Sequence, residues 1–296
     1  MPTQSLDIGV IGLGLMGSVL LRRLLDAGFA VSAHDIDPTK CAAALLEGAK
    51  PAEPADMAAH CDQIVLALFD TEQVEQMVEG PLAAAGRELL VICTSTCDPD
   101  RIAALAARIA PRGIRFLEAP VSGTSAQVRA GQGVALLGGD ARLVADAGLV
   151  LNALFATCHH VGEIGAGGRA KLAVNLVLGL NRLALAEGLV LAERMGLAPT
   201  AFLPVLQQSA AYSQVMVTKG PKMVSGEFSP QGKVFQSLKD FTLILNLAGR
   251  LGQTLPAASL NAEILQACVA AGEAELDNAV VIAELRRRGG VASICA

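Results

Sequence analysis

Tryptophan is absent, tyrosine occurs once, and only 17% of the residues carry charge. With no basic stripe, few aromatic stacking platforms and a net charge of −5, the chain lacks the means to neutralise phosphates or stack bases. Nucleic-acid binding is therefore not expected, and the run Arg286–Arg287–Arg288 reads as a solvated helix end. Scarce charge beside 52% apolar residues also excludes a disordered chain. The seven cysteines (Cys41, Cys61, Cys93, Cys97, Cys158, Cys268 and Cys295) are odd in number and scattered. Only Cys93 and Cys97 approach a metal-ligand spacing, and neither a His nor a second Cys pair accompanies them. No metal is expected; reduced thiols in a cytoplasmic protein are the simpler reading. The adjacent His159 and His160 also lack metal-ligand company and read as strand-end residues. Residues 1–7 are polar and give no sign of a secretory leader. The one long apolar run, residues 172–191, is interrupted by Asn175, Asn181, Arg182 and Glu187. Two mid-membrane charges would cost roughly 2.5–3.5 kcal/mol each, so this run reads as a central helix of a domain or dimer.

A chain of 296 residues is long enough for about two domains. In the first half, short continuous apolar runs at 8–11, 30–35, 64–69, 89–94 and 114–118 read as buried strands. Helical patterns at 18–27, 39–47, 71–77 and 99–109 lie between them, and this alternation predicts a doubly wound parallel sheet. Further strands are expected at 133–138 and 158–161. From residue 170 the rhythm changes to long Ala/Leu-rich helices punctuated by Gly196, Pro199, Pro221, Pro230 and Pro256. The expected division is an α/β domain over residues 1–165 and an all-α domain over 166–296, joined by a long helix.

The first strand runs into Gly12-Leu13-Gly14-Leu15-Met16-Gly17 and then a helix. In that context Gly-x-Gly-x-x-Gly is the fingerprint of a Rossmann-type dinucleotide-binding turn. Gly12 permits the tight turn, Gly14 lets backbone approach a pyrophosphate, and Gly17 lets helix and sheet pack closely. The helix start then offers N–H groups and a positive dipole end to the phosphate. Asp35, 18 residues after Gly17, ends the second strand. A carboxylate there accepts ribose hydroxyls and repels a 2′-phosphate, and Ile36 stands where an Arg would favour the phosphorylated cofactor. NAD is expected over NADP.

Two later segments carry the chemistry. Residues 116–124 read as a strand ending in the small-residue turn Ala119-Pro120-Val121-Ser122-Gly123-Thr124. Residues 165–175 form a glycine-rich helix start bearing Lys171 and Asn175, four apart and so on one face. A lysine near a helix N-terminus works against the dipole, which eases its deprotonation. A dehydrogenase needs such a group, because a carbonyl oxygen must receive a proton as its carbon receives hydride.

With these segments and Ser237-Leu238-Lys239-Asp240 in the second half, the chain resembles the β-hydroxyacid dehydrogenase family along nearly its whole length. The resemblance implies an N-terminal Rossmann domain, a linking helix, an all-helical domain and a cleft between them. It implies Lys171 as catalytic acid/base, with Asn175 beside it holding the substrate. Ser122, Gly123 and Thr124 would form the loop that binds the substrate carboxylate, and Lys239 would line the cleft near the nicotinamide. Leu68, Phe69 and Thr96 would contact the cofactor, together with residues 12–17 and Asp35. It also implies a small 3-hydroxy acid or semialdehyde as substrate, and a homodimer or homotetramer.

Three departures stand out. Thr124 occupies a position that is usually Gly, which changes what the substrate carboxylate meets. Phe69 stands where Pro is common, and Glu118 replaces the usual Asp; both read as minor. Thr96 also reads as a cap for the helix beginning near Pro99. Two other activities fit the same fold: an imine reductase, against which Lys171 argues, and a non-catalytic NAD-sensing protein, against which Lys171, Asn175 and Ser122 argue together. Tyr212 is followed four residues later by Met216, so the Tyr-x-x-x-Lys pair of short-chain dehydrogenases is absent.

Overall fold

The computed structural model describes residues 6–289, so Cys295 and residues 1–5 of the N-terminal stretch lie outside the described residues. The strands are β1 (Asp7–Ile11), β2 (Ala30–His34), β3 (Lys50–Pro51), β4 (Gln63–Leu66), β5 (Leu89–Cys93), β6 (Ile114–Glu118), β7 (Val121–Ser122), β8 (Val134–Gly138) and β9 (Thr157–Gly162). Helices α1 (Gly17–Asp26), α2 (Pro38–Leu46), α3 (Pro54–His60), α4 (Thr71–Met77), α5 (Pro99–Ile109), α6 (Ser125–Arg129), α7 (Ala141–Asp146) and α8 (Gly148–Leu154) alternate with them. There follow α9 (Ala166–Arg194), α10 (Pro199–Gln207), α11 (Gln214–Thr218), α12 (Gly220–Ser225), α13 (Val234–Arg250), α14 (Pro256–Ala270) and α15 (Val281–Arg288). The chain divides between Lys171 and Leu172 into two compact units.

In the first unit the strand order is β3-β2-β1-β4-β5-β6-β8-β7, with β9 paired to β8. Strands β1 to β6 pair in parallel, which fits continuous apolar strands covered on both faces. Alternate side chains fill two cores. Ile8, Val10, Val65 and Ile92 pack with α1 and α8, whereas Ile11, Ile64, Leu66 and Val91 pack with α3 and α5.

The sheet is not wholly parallel. β8 runs antiparallel to β6 and β7, because the short β7 and α6 turn the chain back on itself after Pro120. Parallel pairing resumes at β9 after the α7–α8 crossover. The five- to seven-residue helices α3 and α6–α8 were not expected from sequence; such lengths cover too few turns to show a helical period. His159 and His160 lie within β9 rather than at its end, and His160 Nε2 sits 2.7 Å from the Gly139 carbonyl oxygen.

The second unit is helical, with one isolated bridge between Lys233 and Asp277. Its core gathers Leu185, Leu189, Met223, Phe241, Leu265 and Val281. Gly179 is required there: a Cβ on it would lie 2.4 Å from the Phe241 ring. The buried Lys219 ammonium donates to both oxygens of Asp277 at 2.8 Å, and Asp277 also accepts the N–H groups of Gln231 and Ala279. Lys219 thus gains the partner that a buried charge requires. The expected solvated arginine run is instead ion-paired: Arg286 with Glu193, Arg287 with Glu273 and Glu284, and Arg288 with Glu263 and Glu284. Helix α9 is long and apolar enough to cross a membrane, yet Arg182 lies buried on it, with burial pulling its guanidinium down to about 10.

Candidate active site

The turn between β1 and α1 lies at the carboxyl end of the sheet's central strands, where ligands bind in folds of this kind. Gly12 has φ +92°, and a Cβ there would fall 2.5 Å from the Ala67 carbonyl oxygen. At Gly14 an added Cβ meets nothing within 4 Å, so the backbone is open to a close-lying group. No side chain caps α1 at Met16, so the positive end of the helix faces the glycine turn, although the Ser18 N–H already donates to the Gly14 carbonyl at 3.0 Å. Leu13 and Leu15 flank Gly14; Leu13 is buried and Leu15 partly so.

Asp35 follows β2 directly. Its carboxylate accepts the N–H of Leu13 at 2.7 Å and of Asp37 at 2.9 Å, and Lys40 Nζ lies 3.2 Å away. Burial pushes this carboxyl up, but those three donors outweigh it and hold it below the usual carboxylate range. Asp35 therefore stays ionised and ties the end of β2 to the glycine turn. Ile36 beside it is 93% exposed.

β4 and β5 end earlier than their apolar runs suggest, at Leu66 and Cys93. Leu68 N–H donates to Ser95 Oγ at 2.9 Å and Phe69 N–H to Gln73 Oε1 at 3.0 Å, which fixes the two residues assigned to cofactor contact. Thr96 is not the cap of α5. Asp98 fills that role, accepting the N–H groups of Asp100 and Arg101, because a cap must directly precede the first helical residue.

Lys171 lies in the second turn of α9 and is 7% exposed. Asn175 follows it one turn later on the same face. The start of α9 is held by Glu118 at the end of β6. Its Oε2 accepts Gly165 N–H at 2.5 Å and its Oε1 accepts Gly168 N–H at 3.0 Å. Burial pushes the Glu118 carboxyl up to about 7, against the pull of these N–H groups and of Arg169. The substitution read as minor from sequence therefore sits under the first turn of the helix that carries Lys171.

The 119–124 turn is less uniform than the sequence suggests. Ser122 and Gly123 are partly exposed, and Gly123 has φ +136°. Thr124 pairs with Gln127: its Oγ accepts the Gln127 N–H, and its N–H donates to Gln127 Oε1 at 2.8 Å. This capping box starts α6, so Thr124 has a structural role beside the one the resemblance implies, and that role leaves its hydroxyl hydrogen unused.

In the second unit Asn175 Nδ2 donates to Asp240 Oδ2 at 2.8 Å, and Lys239 Nζ stands 3.2 Å from Asp240 Oδ1. Asp240 is the residue that sequence reasoning left out of the site. Its place directly after Lys239, on a helix facing an asparagine, was the available signal.

Residues 7–162 match the NAD binding domain of 6-phosphogluconate dehydrogenase. Residues 165–285 match the NAD-binding domain of NADP-dependent 3-hydroxyisobutyrate dehydrogenase. L-threonate dehydrogenase of Cupriavidus necator is 31% identical over 94% of this chain and 96% of its own length. 2-(Hydroxymethyl)glutarate dehydrogenase of Eubacterium barkeri is 32% identical over 97% of each chain. The solved structure of 3-hydroxyisobutyrate dehydrogenase from Mycobacterium tuberculosis with L-serine superposes with a TM-score of 0.85 at 30% identity, covering 96% of this chain and all of that one.

Proposed function

The chain belongs to the β-hydroxyacid dehydrogenase family, and from that premise we propose that it is an NAD-dependent oxidoreductase interconverting a small 3-hydroxy acid and its semialdehyde. The observation that carries this reading is Lys171, buried at a glycine-rich helix start with Asn175 one turn beyond it. When bound, the nicotinamide supplies or takes up the hydride. The open backbone at Gly14 and the uncapped start of α1 fit a dinucleotide's pyrophosphate, and Asp35 fits an unphosphorylated ribose. Lys171 Nζ gives its proton to the carbonyl oxygen as the carbon becomes tetrahedral; in the other direction the neutral amine takes that proton from the hydroxyl. Ser122 Oγ and the Gly123 N–H hold the carboxylate, while Thr124 shapes their loop through its capping box. Asp240 orients Asn175 toward the substrate and keeps Lys239 close by.

The substrate class draws support from the relatives. L-threonate, 2-(hydroxymethyl)glutarate and L-serine, the compounds in those names, all carry a hydroxyl β to a carboxylate. The test is a panel of succinic, malonic, methylmalonic and tartronic semialdehydes plus glyoxylate, each with NADH and NADPH. Oxidation of NADH by at least one semialdehyde is expected; no turnover with any of them removes the proposal. Asp35→Ala is expected to raise NADPH use relative to NADH by about tenfold or more, since ribose hydrogen bonds to a charged group contribute about 1.5–3 kcal/mol. A wild type that already prefers NADPH contradicts the reading of Asp35.

We also assign a reducing, cytoplasmic setting, with support from the six described cysteines, all of them free. The partner proposed is a second copy of this chain. Val174, Val177, Leu178 and Leu191 stand exposed along α9, with Met195 just beyond its end, more apolar surface than a helix presents to water without a neighbour. Light scattering is expected to give a dimer or tetramer, and Val177→Lys to shift it toward monomer.

A further inference from the structure

Glu118 is a carboxylate that neither the turn at residues 12–17 nor the loop at 122–124 explains. It is 4% exposed, so it does not present itself to substrate or cofactor. Its two oxygens meet the N–H groups of Gly165 and Gly168, donors at the helix start that no carbonyl within α9 reaches. Lys171 lies three residues beyond Gly168, one turn along the same helix.

The surrounding glycines answer to this carboxylate. A Cβ at Gly138 would lie 2.4 Å from Glu118 Oε2, and one at Gly168 would lie 2.9 Å from Oε1. A Cβ at Gly167 would lie 3.0 Å from Glu118 Cβ and 2.8 Å from the Leu136 carbonyl oxygen. Side chains at these positions would push the carboxylate away from the helix start. The glycine-rich approach to Lys171 is thus shaped by an acid delivered from β6.

A serine or aspartate within the helix's own approach could cap these N–H groups without burying a long acidic side chain. A carboxylate from the strand does something a local cap cannot. β6 continues through Ala119 and Pro120 into Val121–Ser122 and Gly123, so Glu118 ties the first turn of α9 to the root of that loop. Both ends of the proposed proton-transfer and carboxylate-binding machinery of the first unit then hang from one side chain.

We propose that Glu118 is a positioning residue for Lys171: by anchoring Gly165 and Gly168 it fixes the start of α9, and with it the place of the amine relative to the Ser122–Gly123 loop. The inference rests on the role given to Lys171 above. Misplacement of about 1 Å in an active site costs on the order of 10²-fold in rate. Glu118→Gln keeps the shape but turns an NH₂ donor toward one of two N–H donors, so one anchor is lost. It is expected to lower kcat by about 10–100-fold, with dinucleotide affinity within about twofold of wild type. Glu118→Asp keeps both acceptor oxygens and is expected to recover most of that loss. Hydrogen exchange read by mass spectrometry, which needs no substrate, is expected to show faster exchange across residues 165–171 in Glu118→Gln and little change across 12–17. Unchanged exchange over 165–171, or a kcat within twofold of wild type, overturns the inference. If Glu118→Gln does not fold, Gly168→Ala decides, since its Cβ would lie 2.9 Å from Glu118 Oε1 and push the carboxylate off the helix start: a kcat reduced at unchanged dinucleotide affinity supports the role, and an unchanged kcat and exchange pattern overturn it. Absence of wild-type turnover on the semialdehyde panel would count against the proposed function alone, because the exchange measurement still judges Glu118.

Discussion

Replacing Lys171 with alanine is expected to lower kcat by about 10²–10⁴-fold while leaving dinucleotide affinity nearly unchanged, the usual contribution of a placed acid/base group. The argument starts from where the lysine stands. Burial of an ammonium is costly, and a side chain with a flexible four-carbon stem would reach water if nothing favoured its retention. It lies instead inside, on the face it shares with Asn175, at a helix start immobilised by Glu118. The dinucleotide, by contrast, is assigned to Gly12–Gly17 and Asp35, residues between β1 and α1 and at the end of β2. Rate and affinity should therefore separate. Lys171→Arg is the informative companion: it keeps the charge but cannot readily lose a proton, so it should be as slow as the alanine variant in the oxidative direction. Steady-state turnover with titration of NADH fluorescence measures both quantities. A Lys171→Ala enzyme that retains wild-type kcat would remove the proton-transfer role.

Much of this was legible in the sequence because the parts that could be read are local. Gly-x-Gly-x-x-Gly between an apolar run and a helix needs only neighbours in the chain to be interpretable, and Asp35 needs only the length of one β-α-β unit. The two-core sheet follows from strands that are apolar on both faces. What escaped notice is non-local. Glu118 looked like a conservative exchange, since nothing in residues 114–120 shows that its carboxylate meets N–H groups 47 and 50 positions away. Asp240 is 65 positions from the asparagine it orients. Thr124 is the opposite case, because its second role, as a helix cap, is local. Its capping partner Gln127 is close enough to read as a Thr-x-x-Gln box, but a family resemblance drew attention to a ligand instead of to the helix start beside it. The antiparallel β8 was hidden because a two-residue strand and a five-residue helix leave no periodic trace.

Gly17→Ala and Gly14→Ala are expected to diverge, although both glycines belong to the same fingerprint. A Cβ at Gly17 would fall 1.8 Å from the Gly12 carbonyl oxygen and 3.2 Å from Ala67 Cβ. The turn cannot recede to make room. Gly12 is itself held at φ +92° against the Ala67 carbonyl, and its N–H donates to the His34 carbonyl at 2.8 Å. Overpacking on rigid backbone costs at least about 1–3 kcal/mol, so Gly17→Ala should lower the melting temperature by several degrees and distort the turn enough to weaken NADH binding by tenfold or more, on the order of 1.4 kcal/mol. Gly14 presents the reverse case. Its φ is not left-handed and an added methyl meets no protein atom within 4 Å, so Gly14→Ala should fold with stability within about 0.5 kcal/mol of wild type. The only thing left for that methyl to strike is the bound pyrophosphate, and NADH affinity should fall as far as in Gly17→Ala. Thermal melts with and without NADH separate the two effects: both variants lose the ligand-induced shift, but only one melts early without ligand. A Gly14→Ala protein that binds NADH like wild type would mean that the dinucleotide does not lie against this turn, and the reading of Asp35 as its ribose ligand would fall with it.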